Sequence, residues 1–292
     1  MADSPKQQRF GAHMSVAGGL HLAFDLAVQA GCDCLQIFVK NQRQWVAKPL
    51  TDGQAAEFRQ AMAATRITPV VAHASYLINM ASPDDALRQK SIAAMIDELT
   101  RCEALGVVSL VVHPGAHMGQ GVDAGIARIA QSLDQIHAAT PGFKTTIALE
   151  VTAGQGSAIG FEIAHLGRIM AASKDPGRIR TCLDTCHLFA AGYDLSDIAD
   201  YQRMTDELAA SVRFENVSCI HANDSKGERG SRVDRHDHIT EGRIGVRGFE
   251  NILNDARLAA VPRILETPKE SDRGVEFDRS NLERLRVMIA KK

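Results

Sequence analysis

The chain has 292 residues, 45% of them hydrophobic and 23% charged, with a formal net charge of −2 at pH 7. That length holds either one barrel of about 250 residues or two smaller domains, and a core of that size needs no disulfide or metal to keep it together. The near-neutral balance excludes a uniformly basic nucleic-acid binder and leaves any anion-binding role to local clusters of charge.

The opening MADSPKQQRF lacks the basic start and apolar run of a signal peptide, and no stretch of about 18 apolar residues is present, so neither secretion nor membrane insertion is expected. The cysteines, Cys32, Cys34, Cys102, Cys182, Cys186 and Cys219, form no CxxC pair, and several lie inside apolar runs, which points to reduced thiols and a cytoplasmic chain. One domain over residues 1–292 is expected, with residues 1–8 a flexible extension.

In chain order, FGAHM from Phe10 is the first strand-like run and ends near His13. CLQIFV from Cys34 follows, with Arg43 in the loop beyond it, then ITPVVAH from Ile67, which ends on His73 and leads into Tyr76 and Leu77. VVSLVVH from Val107 ends on His113, TTIALEV from Thr145 carries Glu150, and IRTCLDT from Ile179 carries Asp184, with His187 three residues on. VSCIHAND from Val217 carries His221, and PRILET from Pro262 carries Glu266; between them SRVDRHDH sets Asp234 and His236 on either side of Arg235, so both face one way if the loop is extended. The intervening stretches, such as DALRQKSIAAMIDELTRCEALG after Asp85, have helical spacing and strong helix formers.

Eight alternations of apolar strand and helix predict an α/β fold, a single-domain (β/α)8 TIM barrel; an open doubly wound sheet is the structural alternative. In such a barrel the active site lies at the C-terminal ends of the strands. His73, His113, Glu150, Asp184, His221 and Glu266 close or nearly close strands three to eight, and His187, Asp234 and His236 lie in following loops. All nine bear imidazole nitrogen or carboxylate oxygen, the donors that zinc and similar cations take. A carboxylate ending an apolar strand costs several kcal/mol unless it is paired or metal-bound, so Glu150 and Glu266 demand a cation, the alternative being a buried arginine.

Other features are weaker. His13, at the end of the first strand, suits an outer hydrogen bond to a ligand or phosphate, or a structural role. His21, His137 and His165 read as helix surface. EVTAGQGSAIG lacks dinucleotide spacing and a P-loop lysine and reads as a tight loop beneath the site. The segment Lys226–Arg247 is locally basic, either a solvated loop or a nucleic-acid contact, and Trp45 is either a hydrophobic anchor or part of a DNA-facing loop.

Together GAHMSVAGGL from Gly11, KNQRQW from Lys40, SYLIN from Ser75, HPG from His113, TAGQGS from Thr152, DTCH from Asp184, AAGYDL from Ala190, SRVDRH from Ser231 and LET from Leu265 resemble the endonuclease IV family of zinc-dependent apurinic/apyrimidinic endonucleases, over nearly the whole chain. The resemblance implies three zinc ions, with Mn2+ admissible at one site: His73, His113 and Glu150 on one, Glu150, Asp184, His221 and Glu266 on a second, and His187, Asp234 and His236 on the third. It implies cleavage of double-stranded DNA on the 5′ side of an abasic site, leaving a 3′ hydroxyl and a 5′ deoxyribose phosphate, and removal of blocked 3′ ends. Glu150 as the shared ligand and Glu266 as the group that orients or deprotonates the attacking water are the implied catalytic residues. Arg43, Tyr76 and Leu77 match DNA-penetrating loops, and a monomer is the implied state. Two positions depart from the pattern: Ala74 stands where aspartate is common, which is expected to remove an outer hydrogen bond from His73, and Val151 where asparagine is common.

Two rivals remain at the level of sequence. A sugar isomerase or epimerase on a similar barrel would use Glu150, Asp184, His221 and Glu266 around one divalent ion and leave the other five ligands idle. A non-catalytic DNA binder with structural zinc would favour cysteine-rich sites.

Overall fold

Eight strand-like runs become eight parallel strands in the computed structural model, which describes residues 8–269 and 274–290. They are β1 (Phe10–His13), β2 (Cys34–Phe38), β3 (Val70–His73), β4 (Ser109–Val112), β5 (Thr146–Glu150), β6 (Ile179–Asp184) and β7 (Val217–His221). After a small antiparallel ribbon, β8 (Asp224–Ser225) with β9 (His236–Asp237), comes the last barrel strand, β10 (Arg263–Leu265). The sheet closes in the order β1-β10-β7-β6-β5-β4-β3-β2, which settles the choice between closed barrel and open sheet. Of the expected extension, residues 1–7 lie outside the described residues, while Gln8 donates from Nε2 to the Leu253 carbonyl at 2.7 Å.

The helices are α1 (Ala23–Ala30), α2 (Asp52–Thr65), α3 (Asp85–Leu105), α4 (Val122–Ala139), α5 (Ile163–Ala172), α6 (Thr185–Ala191), α7 (Ile198–Ser211), α8 (Gly245–Leu253) and α9 (Val275–Val287). Several carry their start signals in sequence: Thr51 and Gln54 form a reciprocal capping box on α2, and Asp84 and Asp197 cap α3 and α7 with their carboxylates. Their apolar stripes pack on the outer faces of the strands. His137 and His165 fall on those stripes in α4 and α5 and are buried, not on the helix surface as expected. The spacing explains His137, which follows Leu133 by four residues along the buried line of α4. No helix among the described residues is long and apolar enough to cross a membrane.

Inside the barrel, Cys34, Val71, Val111, Ala148, Cys182, Cys219 and Ile264 form a fully buried apolar plug, one residue from each of seven strands. The eighth strand contributes Gly11, where a Cβ would lie 2.0 Å from the Cys34 carbonyl oxygen; no other residue fits between β1 and β2. Side chains two residues apart on a strand share a face. Adding two to each plug position gives His13, Gln36, His73, His113, Glu150, Asp184, His221 and Glu266. The fold thus converts eight separate sequence positions into one polar layer resting on an apolar floor.

Candidate metal centre

Glu150 lies at the middle of that layer, fully buried. Its Oε2 is 3.1 Å from His73 Nε2 and 3.2 Å from His113 Nε2, and its Oε1 is 2.8 Å from His221 Nδ1 and 3.4 Å from His187 Nδ1. Glu266 brings Oε2 to 3.1 Å from the same His221 nitrogen, and Asp184 brings Oδ2 to 3.8 Å. On the far side His187 Nε2 and His236 Nε2 converge on Asp234 Oδ1 at 3.3 and 3.4 Å. Three sets made only of imidazole and carboxylate therefore form, each with donor atoms within 4.8 Å of one another: His73, His113 and Glu150; Glu150, Asp184, His221 and Glu266; His187, Asp234 and His236. These are the groupings that the resemblance implied.

Two local structures differ from the sequence expectation. His187 is not in a loop but in the first turn of α6, because Asp184 ends β6 and caps the helix at once, accepting from the His187 N–H at 2.8 Å. His236 sits in β9 of the ribbon, and the extended backbone there turns it to the same side as Asp234, as the alternation across Arg235 requires.

Four imidazoles are held by acceptor-only oxygens. Nδ1 of His73 donates to the Ala74 carbonyl and Nδ1 of His187 to the Val151 carbonyl, both at 2.8 Å; Nδ1 of His236 donates to the Glu266 carbonyl at 3.1 Å. A carbonyl cannot donate, so each bonded nitrogen carries hydrogen and the other nitrogen is turned toward the carboxylates of the cluster. Ala74 therefore does not cost His73 its outer hydrogen bond: the main chain supplies it, as it does for His187 beside Val151.

The fourth imidazole, His221, is set by Gln36, which sequence reasoning missed. Gln36 Nε2 donates to Glu266 Oε1 at 2.5 Å and meets His13 Nδ1 at 2.9 Å; its Oε1 accepts from His221 Nε2 at 2.8 Å. The carboxylate can only accept, so the amide orientation is fixed by chemistry. The signal was present in CLQIFV, where one amide interrupts an apolar strand at the register of the other site residues.

No lysine or arginine pairs with the carboxylates of Glu150, Asp184, Asp234 or Glu266 among the described residues, so the buried arginine considered for Glu150 and Glu266 is not there. Burial works against charge on Glu150, yet His221 and His113 hold its carboxyl well below the usual range. Burial likewise opposes the Asp234 carboxylate, and the His187 imidazole beside it, with His236 and His113, overcomes that, taking its pKa down to about 2. Burial also opposes charge on His221, but Glu266 and Glu150 raise it well above 6.5, and Asp184 and Asp234 do the same for His187 against the same opposition. Protons thus stand in for cations. His187 Nε2 and His236 Nε2 remain buried without a hydrogen-bond partner, an arrangement that costs about 1–3 kcal/mol per group unless something else satisfies it. An oxygen-and-nitrogen donor set with unsatisfied nitrogens and excess negative charge fits divalent cations.

Above the layer is a cleft of about 310 Å³ lined by Tyr76, His113, Gly154, His187 and Asp234 among others. EVTAGQGSAIG forms one wall, with Gly154, Gly156 and Gly160 in the left-handed region at φ 80°, 61° and 104°. Tyr76 is 60% exposed, its ring 5.2 Å from that of His73, so it is no core residue; Leu77 beside it is half-buried and Arg43 is exposed. In the basic segment, Arg229 is paired with Asp194 and Asp200, and Arg243 with Glu228. Trp45 is half-buried beneath Lys90, whose Nζ lies 4.5 Å from the ring centre.

Barrel, polar layer and cleft together define the class: residues 24–287 match the family described as xylose isomerase-like TIM barrel. Within that class the chain belongs to the endonuclease IV family. It is 49% identical over 281 residues to "Probable endonuclease 4" of Chloroflexus aurantiacus, covering 96% of this chain and 98% of that one. The crystal structure of endonuclease IV from Thermus thermophilus superposes with a TM-score of 0.84 at 36% identity, covering 96% and 98% of the two chains. A 3-keto-D-glucoside 4-epimerase from E. coli, at 15% identity and a TM-score of 0.69 over 96% of this chain and 100% of that one, shares the fold alone.

Proposed function

We propose that this chain is a zinc-dependent DNA-repair endonuclease that cuts the phosphodiester 5′ to an abasic site, leaving a 3′ hydroxyl and a 5′ deoxyribose phosphate, and that also clears blocked 3′ ends. The observation that carries this is the gathering of nine donors into three sets around Glu150 in a member of the endonuclease IV family. An epimerase needs one such set, and His73, His113, His187, Asp234 and His236 would then have no task.

His73, His113 and Glu150 would hold one zinc, Glu150, Asp184, His221 and Glu266 a second, and His187, Asp234 and His236 the third, with Mn2+ admissible at one site. Bound there, the ions would supply Lewis-acid charge for the phosphate oxygens and lower the pKa of the attacking water. The protein's own groups do the rest. Gln36 pins Oε1 of Glu266 and leaves Oε2 on the side of His221, placed to receive the proton of the attacking water. Burial, against the pull of Glu266, lowers the His13 pKa and keeps its ring neutral; Nδ1 accepts from Gln36, so Nε2–H, buried and unpaired, is free for a phosphate oxygen.

An abasic nucleotide lacks the stacking that resists extrusion, so rotating it into the cleft is cheap. Arg43, Tyr76 and Leu77 stand at the rim, and the Tyr76 ring with Leu77 would fill the vacated stack while Arg43 meets the backbone. A monomer suffices for this chemistry, and a cytoplasmic location gives access to the substrate.

The test is a duplex with one abasic analogue, end-labelled on the damaged strand and incubated with zinc-loaded protein. A nick immediately 5′ to the analogue is expected. An uncut strand under those conditions overturns the proposal.

A further inference from the structure

Directly under the polar layer, two thiols face each other across β6 and β7. Cys182 pairs in register with Cys219, and one step up Asp184 pairs with His221. Both cysteines are fully buried in the plug, and their sulfurs and a ring nitrogen of His221 all lie within 4.8 Å of one another. Small apolar side chains would serve the plug as well; Ala148 and Val111 do so on β5 and β4. What the two thiols add is a soft donor pair beneath a hard one, with one imidazole common to both.

We propose that Cys182, Cys219 and His221 form a site for a single thiophilic cation, of the class of Cd2+ or Cu+, and that filling it disables the protein by drawing His221 out of the set it shares with Glu150, Asp184 and Glu266. Thiolate sulfur selects soft ions over the harder ones that oxygen favours. On binding, two metal–sulfur bonds and one metal–nitrogen bond would form, His221 would give up its place in the upper set, the two thiol protons would leave to solvent and no electron would move, so neither oxidant nor reductant is required. His221 serves as the hinge between the two layers.

The loss of activity rests on the endonuclease proposal; the binding does not, and the two are read separately. Zinc-loaded protein is titrated with cadmium chloride while thiolate-to-cadmium charge-transfer absorption and nicking are followed. Expected are a band of two thiolates per ion and a parallel loss of nicking. Cys219→Ser and, independently, Cys182→Ala should each weaken cadmium binding about 100-fold or more and keep nicking at cadmium levels that stop the parent protein. Cys102→Ser, a buried thiol remote from the layer, should behave as the parent. An unchanged band in both Cys219→Ser and Cys182→Ala, or a band abolished by Cys186→Ser, overturns the proposal; the latter would place the ion with Asp184 and His236 instead. A band with the expected variant dependence in a protein that never nicks DNA supports the cation site and sinks the endonuclease proposal alone.

Discussion

Gln36 Oε1 accepts from His221 Nε2 at 2.8 Å, and that contact decides that Nδ1 is the nitrogen of His221 facing Glu150 and Glu266. Gln36→Ala should therefore free the ring to rotate and release Glu266 Oε1 together. Nicking kinetics are expected to show kcat down about 10–100-fold with KM nearly unchanged, and zinc competition should show weaker retention of one ion. Full kcat in Gln36→Ala would remove Gln36 from any positioning role.

Glu150 touches four imidazoles, and no other side chain in the layer does so. Glu150→Gln keeps the shape but removes the charge, and should lower the nicking rate by at least about 100-fold. Near-normal turnover would mean that the sharing of Glu150 between two sets has no chemical role.

Metal content offers a direct count. Elemental analysis of purified protein should find about three ions per chain; a single ion favours the isomerase-like alternative. Stripping them with a chelator leaves buried carboxylates balanced only by protons, so Tm should fall by several degrees, in line with about 4 kcal/mol of linkage when free metal stands near a thousand times Kd. An unchanged Tm after verified metal loss would contradict this account of the layer.

At the rim the expected signature is different. Tyr76→Ala should raise Kd for an abasic duplex about tenfold while kcat on saturating substrate changes little, since the ring fills space in DNA and does not touch the cleaved bond. Arg43→Ala should flatten the salt dependence of binding by about one unit of slope. Binding curves identical to those of the parent protein would place both side chains outside the DNA interface.

In the floor, Gly11→Ala should cost about 1–3 kcal/mol through strain between β1 and β2, visible as a lower Tm, because the added carbon meets a carbonyl and not a flexible side chain.

The strands and six of the donors, His73, His113, Glu150, Asp184, His221 and Glu266, were accessible in sequence because each donor closes or nearly closes an apolar run, where a charged or imidazole side chain is conspicuous; His187, Asp234 and His236 were carried by their spacing and by the family resemblance. Gln36 was not, since an amide inside CLQIFV reads as one satisfied core polar group; its partners His13, His221 and Glu266 are adjacent only after the sheet closes. The short α6 was hidden because Asp184 ends a strand and starts a helix with no residue between. His137 and His165 were misplaced because imidazole on an apolar stripe looks the same in sequence as imidazole at its edge.

The main-chain oxygens at 74, 151 and 266 that hold His73, His187 and His236 have a bearing on how such a centre tolerates change. A side-chain tether can be lost to a single base substitution; a peptide carbonyl cannot. Positions 74 and 151 are thereby released to drift, and an alanine or a valine there leaves the aim of the neighbouring ring intact. For these three rings orientation is inherited with the backbone, while the identity of the flanking residues stays open to variation.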